Sequence, residues 1–462
     1  MATSRRTFIR QVVALGPVAM TFWVDPQLIW GAGTECGKSD PTKDCALPVP
    51  PPATRFIPNE PKVLLRHSAA EMAQPGMKGQ LDAFRAAICM VRDLPPTDLI
   101  SWTKLVAQHC TLCAPDNKSN VHYNWQFPTW HRALLYFLER QLRIMSKNDN
   151  VRLIYWDWEN PKSRIMPGIY APPNQPLYWA SRYLGNKTFP LSDDDVNVQP
   201  LLSLKSFEAF GGTQYQRTPT PALYSGPHAN VHNAFADPDE KGIQGDMADL
   251  QHSPRDPLFY AHHGNIDRVW SSWLAAGGGR QNPDFGDAKV YFYDENRKWR
   301  FVLMNDLRDE RKLGYQYSSL IKPRVAPAEQ QAFPIAMTAN HAVVGATAMK
   351  RVQAPTPDFL HIRDIKNLDS FPANTRRYGI FDANPPAGTD ATKSPAFLGM
   401  VSRVLSSSHV HAEVLSAAIE VTGKIPASAT KGLDLFIAPL SADRKTTAAA
   451  IPLVAEAITV IS

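Results

Sequence analysis

Six histidines fall in two clusters, His109, His122 and His131 in the first and His228, His232 and His263 in the second, each close to bulky apolar residues. That is a ligand count for two metal ions held by three imidazoles each. Three neutral imidazole nitrogens suit copper, and an ion left otherwise bare keeps positions open for a small molecule such as dioxygen. The residues therefore point to oxygen chemistry.

The second cluster has the sharper local logic. In G-P-H-A-N-V-H-N, His228 and His232 stand four apart, so on a helix both rings project from one face and can chelate one ion. The third ligand lies in D-P-L-F-Y-A-H-H-G-N-I-D-R-V-W, at His262 or His263, with His263 preferred. Asp267, four residues after His263, shares its helical face, where a carboxylate can orient the imidazole or its neighbours. A lone histidine beside an apolar run is more often a core or surface residue, and the chain has thirteen histidines, so the pair alone does not decide the matter.

The first cluster adds the specificity that the pair lacks. It reads H-C-T-L-C from His109 to Cys113, then His122, then F-P-T-W-H-R, with His131 opening the apolar stretch A-L-L-Y-F-L-E-R-Q-L. Here the chain resembles the tyrosinase and catechol oxidase family of type 3 copper proteins, its plant polyphenol oxidases in particular. Further segments carry the resemblance: Y-W-D-W-E-N-P at 155–161, the His262–His263 segment, V-Y-F-Y-D-E-N and L-G-Y-Q-Y within 290–317. It spans about residues 45 to 320 and is weaker afterwards.

The resemblance implies two copper ions and a reaction in which dioxygen and an o-diphenol give an o-quinone. It implies a thioether joining Cys113 to His122 and a disulfide between Cys45 and Cys110, with Cys36 and Cys89 unassigned. Hydroxylation of monophenols is associated in the family with a Glu four residues before the first copper B histidine and an Asn just after it. Tyr224 and Ala229 occupy those positions here, and neither can act as a carboxylate-held base, so monophenol hydroxylation is expected to be weak or absent. Leu250 matches the position of an aromatic gate over copper A, which looks comparatively open. Trp130 and Arg132 flank a ligand and are expected to lock its helix rather than touch substrate. Two other readings share the ligand set: an o-aminophenol oxidase, and a hemocyanin-like oxygen carrier.

At 462 residues the chain suits a targeting segment and two domains, and its 44% hydrophobic content can fill a core. The net charge of +6 is spread along the sequence with no Lys/Arg block, so nucleic acid is not an expected partner, and no apolar run is long enough to span a bilayer. Ser4 to Arg10 reads S-R-R-T-F-I-R ahead of an apolar stretch, which resembles a twin-arginine signal for folded export to a bacterial periplasm or beyond. Cleavage is expected near Gly31 to Thr34.

Positioning these residues calls for helices, and helical signals appear at 69–92, 98–109, 129–147, 227–234 and 256–276. The expected fold is mainly α: a four-helix-bundle dicopper core at 34–320 with long loops at 160–226 and a proline-rich strap at 46–61. A linker is expected at 321–345, then a small β-sandwich at 346–462 read from short alternating segments. In the plant relatives a comparable β domain shields the site and keeps the enzyme latent. His409 and His411, two apart on an expected strand, share a face that is more often solvated than metal-binding.

Overall fold

Two helices and the loop between them set the first histidine cluster: Trp102–Leu112 carries His109, and Gln126–Ser146 carries His131. Every residue of the second helix from Phe127 to Glu139 is buried, so it runs through the core rather than along its surface. Asn124 Oδ1 accepts from the Gln126 N–H at 2.8 Å at one end. Lys147, at φ 51°, closes the other in the left-handed conformation that ends many helices. The structure, a computed structural model, describes residues 47, 51–112, 120–182, 190–214, 220–236, 245–325, 332–338, 341–343, 358–405, 414–424 and 433–461.

The helix Pro257–Ala275 is buried on all sides from Pro257 to Trp273. Asp256 caps it, accepting from the Leu258 N–H at 2.8 Å, and Pro257 fits the first turn, where its missing N–H costs nothing. Gly264 sets how closely the chain packs beside His263. A Cβ there would come within 3.2 Å of the Ile154 carbonyl, so the glycine lets the extended segment 151–158 lie against the helix. The Trp156 N–H then bonds the Ala261 carbonyl at 2.9 Å.

The second cluster begins in a distorted turn. Tyr224–His228 forms one π-type turn in which Gly226 leaves the helical region and Pro227 has no N–H to donate, and it leads into the short helix Ala229–Asn233. His228 and His232 nevertheless keep the four-residue spacing that puts both rings on one face.

Several expected boundaries move. The helix expected at 69–92 is broken into Ala69–Met72 and Lys78–Arg92 by a 3-10 turn at Pro75–Met77. The next begins at Trp102 rather than 98, because Pro95 and Pro96 precede a turn in which Asp98 accepts from the Ile100 N–H. The stretch 160–226 holds short helices at Asp193–Val196, Gln199–Ser203 and Phe207–Gly211 and buries Leu201, Leu202 and Phe210, so it is core as well as loop. The strap is tied down where it is described: Thr54 and Arg55 pair with Arg300 and Phe301, and Glu60 accepts from Tyr136 and Arg143.

Beyond residue 331 the described chain forms two antiparallel sheets. One has four strands in the order Phe397–Ser402, Arg377–Phe381, Phe436–Leu440 and Ile451–Pro452. The other has six, in the order Leu415–Glu420, Phe359–Ile365, Ala455–Ile461, Ala332–Thr338, His341–Val343 and Leu433–Asp434. Gly399 of the first packs against Ile419 of the second, with 2.9 Å from an added Cβ to Cγ2. The linker expected at 321–345 is therefore shorter, since Ala332–Thr338 and His341–Val343 lie inside the six-stranded sheet. The alternation of Phe333, Ile335 and Met337 is a strand signal, and Pro334 stands opposite Thr459 without ending the ladder. All the described residues lie in one compact unit, Glu35–Ser462, and none of their helices is long and apolar enough to cross a membrane.

Candidate metal centre

All six expected histidines come together. Among the described residues, the groups able to hold a metal are His109, His122 and His131, and His228, His232, His262 and His263; in each the ligand atoms lie within 4.8 Å of one another. In the first group the ring centroids stand 5.1 to 5.5 Å apart. The two groups meet face to face: His131 stacks on His263 at 4.3 Å with 8° between the planes, and His122 lies 6.2 Å from His228.

The backbone fixes which nitrogen each ring presents. His131 Nδ1 lies 2.7 Å from the Phe127 carbonyl, His228 Nδ1 3.2 Å from the Tyr224 carbonyl and His232 Nδ1 2.5 Å from the Met247 carbonyl. A carbonyl only accepts, so each Nδ1 carries the proton and each Nε2 is left with a lone pair. Those three Nε2 atoms and both nitrogens of His263 are buried without a hydrogen-bond partner. Such atoms are costly unless something absent from the polypeptide, such as a metal ion, uses them. Burial, with help from neighbouring rings, pushes the imidazoles well down, His131 to about 3 and His232 to about 4, so the rings stay neutral and able to ligate. The donor set fits copper.

Aromatic residues complete a dry wall. Phe259 lies 4.2 Å from His263 and 5.1 Å from His109, and Phe127 lies 4.8 Å from His228. Tyr224 is fully buried between the groups, its ring 5.2 Å from His228 and 5.7 Å from His122, and Ala229 is buried beside His228. Leu250 is buried too, and its N–H bonds the Leu405 carbonyl at 2.9 Å. The loop that carries Leu250 is thus paired with the segment that follows the strand Phe397–Ser402.

Asp267 does share a helix with His263, but its partners lie elsewhere. Arg132 Nε donates to Oδ1 at 2.5 Å, and the hydroxyls of Tyr315 and Tyr317 donate to Oδ2 at 2.6 and 2.5 Å. Of the two roles expected for it, orienting the imidazole or its neighbours, these contacts correspond to the second: the ion pair ties the helix of His131 to that of His263. Arg132 also stacks over Trp270 at 3.6 Å, in keeping with a locking role. Tyr315 and Tyr317 stand in the L-G-Y-Q-Y run without a role assigned from the sequence, although their two-residue spacing on a strand puts both on one face. The same holds for Trp158 of the Y-W-D-W-E-N-P run, which donates to His262.

Cys110, next to His109, and Cys89 each take part in a disulfide. Cys36, Cys45, Cys113, His409, His411 and the expected signal at 1–33 lie outside the described residues.

Residues 100–197 and 170–276 match the common central domain of tyrosinase, and residues 280–327 match the polyphenol oxidase middle domain. A latent-form polyphenol oxidase of Prunus armeniaca is 31% identical over 59% of this chain and 52% of its own length, and a polyphenol oxidase of Malus domestica is 29% identical over 63% and 55%. The chain thus spans about half the length of the curated relatives it matches. Among solved structures, latent apple tyrosinase shares the fold at 21% identity and a TM-score of 0.63, covering 89% of this chain and 99% of that one. A Vitis vinifera polyphenol oxidase is 27% identical at a TM-score of 0.53 over 62% of this chain and 96% of that one. The six imidazoles in two facing groups all lie within residues 100–276, which match the common central domain of tyrosinase, and residues 280–327, which match the polyphenol oxidase middle domain, follow them in the chain.

Proposed function

We propose that this chain oxidises o-diphenols to o-quinones with dioxygen, hydroxylates monophenols weakly or not at all, and is held latent by its C-terminal sheets. The observation that carries the reading is the pair of facing histidine groups, in which the Nε2 atoms of His131, His228 and His232 are buried without a hydrogen-bond partner. A bound copper pair would supply the two-electron chemistry with dioxygen. His109, His122 and His131 would hold one ion and His228, His232 and His263 the other. Phe127, Phe259 and Tyr224 keep water from the rings, and the backbone carbonyls of Phe127, Tyr224 and Met247 hold three of them in the ligating tautomer. Tyr224 and Ala229 supply neither carboxylate nor amide to take a phenolic proton, so a substrate that arrives as a monophenol lacks a base.

Latency is supported by what the sheets touch. Asn233 Nδ2 donates to the Arg403 carbonyl at 3.0 Å, Arg377 Nη2 to the Asn233 carbonyl at 2.6 Å and Arg376 Nη1 to the Ala248 carbonyl at 2.9 Å. Ser225, three residues before His228, donates to the Ser416 carbonyl. The sheets thus hold the turn and helix that carry His228 and His232. Catechol and tyramine oxidation should be measured before and after limited proteolysis between Val325 and Ala332, with copper content followed. Catechol turnover should rise on release of the sheets without added copper, and tyramine should stay slow. Equal rates on both substrates would overturn the specificity, and unchanged catechol turnover after release would overturn the latency.

The Cys113–His122 thioether and Cys45–Cys110 disulfide belong to the same proposal, as does export through the segment at 1–33. The curated relatives in Malus and Prunus are chloroplastic. Peptide mapping of the copper-loaded protein should recover a cross-linked Cys113–His122 pair lighter by two hydrogens than the separate peptides. A Cys113 that alkylates freely on denaturation would refute the link.

A further inference from the structure

His262 and His263 are adjacent, equally buried, and both within reach of the ion that His228 and His232 would hold. The His262 ring lies 4.7 Å from that of His232 and 5.4 Å from that of His228. A four-imidazole ion would be closed, as structural metal sites are, whereas an ion that takes up dioxygen or substrate must keep a position open. Something has to withhold the fourth ring.

Trp158 is placed to do so. Its Nε1–H donates to His262 Nδ1 at 3.1 Å, and both side chains are fully buried. An indole nitrogen only donates, so the ring nitrogen facing it must accept, and a neutral imidazole that accepts at Nδ1 carries its proton on Nε2. Nδ1 of His262 is then occupied, and its Nε2, buried without a hydrogen-bond partner like those of His131, His228 and His232, differs from them in carrying the proton, which leaves no lone pair for a metal. His131, His228 and His232 have the opposite arrangement, with Nδ1 protonated against a carbonyl. The aim of the indole is fixed by its own segment: the Trp156 N–H bonds Ala261, one residue before His262, and the Trp158 N–H bonds the Trp156 carbonyl at 2.8 Å.

We propose that Trp158 is a positioning residue that keeps copper B at three imidazoles by holding His262 in a tautomer unable to ligate. The inference rests on the dicopper reading above, and three measurements on the full chain test it. In the copper-free protein, nitrogen NMR should find His262 protonated at Nε2; protonation at Nδ1 would overturn the proposal without any substitution being made. In copper-loaded Trp158→Phe, X-ray absorption should show the imidazole count at copper B rising from three towards four, with dioxygen uptake lost. Adding His262→Gln to Trp158→Phe should restore the count of three and the uptake, because the competing ring is gone. An unchanged count in Trp158→Phe, or uptake lost alike in the single and double variants, would overturn the proposal. A wild-type chain that binds no copper would overturn the dicopper reading, and this proposal with it.

Discussion

His263→Ala should lose copper B and catechol turnover together, while His262→Ala should retain both metal ions. The two residues are neighbours on one helix and equally buried, so composition and burial predict the same outcome for both; only their hydrogen bonding separates them. His263 has ring nitrogens free to offer a metal a lone pair, whereas His262 Nδ1 accepts from Trp158, so its Nε2, also without a partner, carries the proton. A three-imidazole site has no spare donor, so the first substitution leaves an ion with two. The second strands the buried indole N–H of Trp158 and should cost about 1–3 kcal/mol of stability without metal loss. Metal analysis with thermal unfolding of both variants reads the difference. A His263→Ala protein that holds two coppers and turns over catechol would contradict the assignment.

Asp267→Ala should destabilise the fold by about 3–5 kcal/mol, because it takes from the buried Arg132 guanidinium its hydrogen-bonded carboxylate and leaves only Glu310, 4.0 Å away. The loss also leaves the hydroxyls of Tyr315 and Tyr317 without the oxygen they share. Since Arg132 follows His131 and Asp267 lies one turn beyond His263, slackening the pair should also lower copper retention. Urea unfolding of copper-free Asp267→Ala and Arg132→Met, singly and together, measures the coupling. A double variant whose loss equals the sum of the singles would show that the two side chains do not act as a pair.

The metal centre was legible because ligand chemistry is local. The four-residue spacing of His228 and His232 survives a π-type turn and a proline, and the H-C-T-L-C run puts His109 at the end of a helix whose apolar face is readable. What the sequence hid are choices made by distant partners. Nothing near His262 says that an indole 104 residues earlier in the chain occupies its Nδ1. Asp267 lies on the predicted helix, but spacing cannot say whether its carboxylate meets an imidazole or a guanidinium from another helix. The sheets were read correctly as strand-rich beyond 346, yet prolines masked the strand at Ala332–Thr338, and the cover over Leu250 depends on a pairing between Asp249 and Leu405 that no local pattern announces.

The most direct test is a copper titration of the metal-free full chain after release of its C-terminal sheets, with catechol turnover followed at each addition. The facing triads predict uptake of two ions per chain and turnover that appears with the second. Activity that saturates with one ion per chain, or a chain that binds only one, would contradict the paired site.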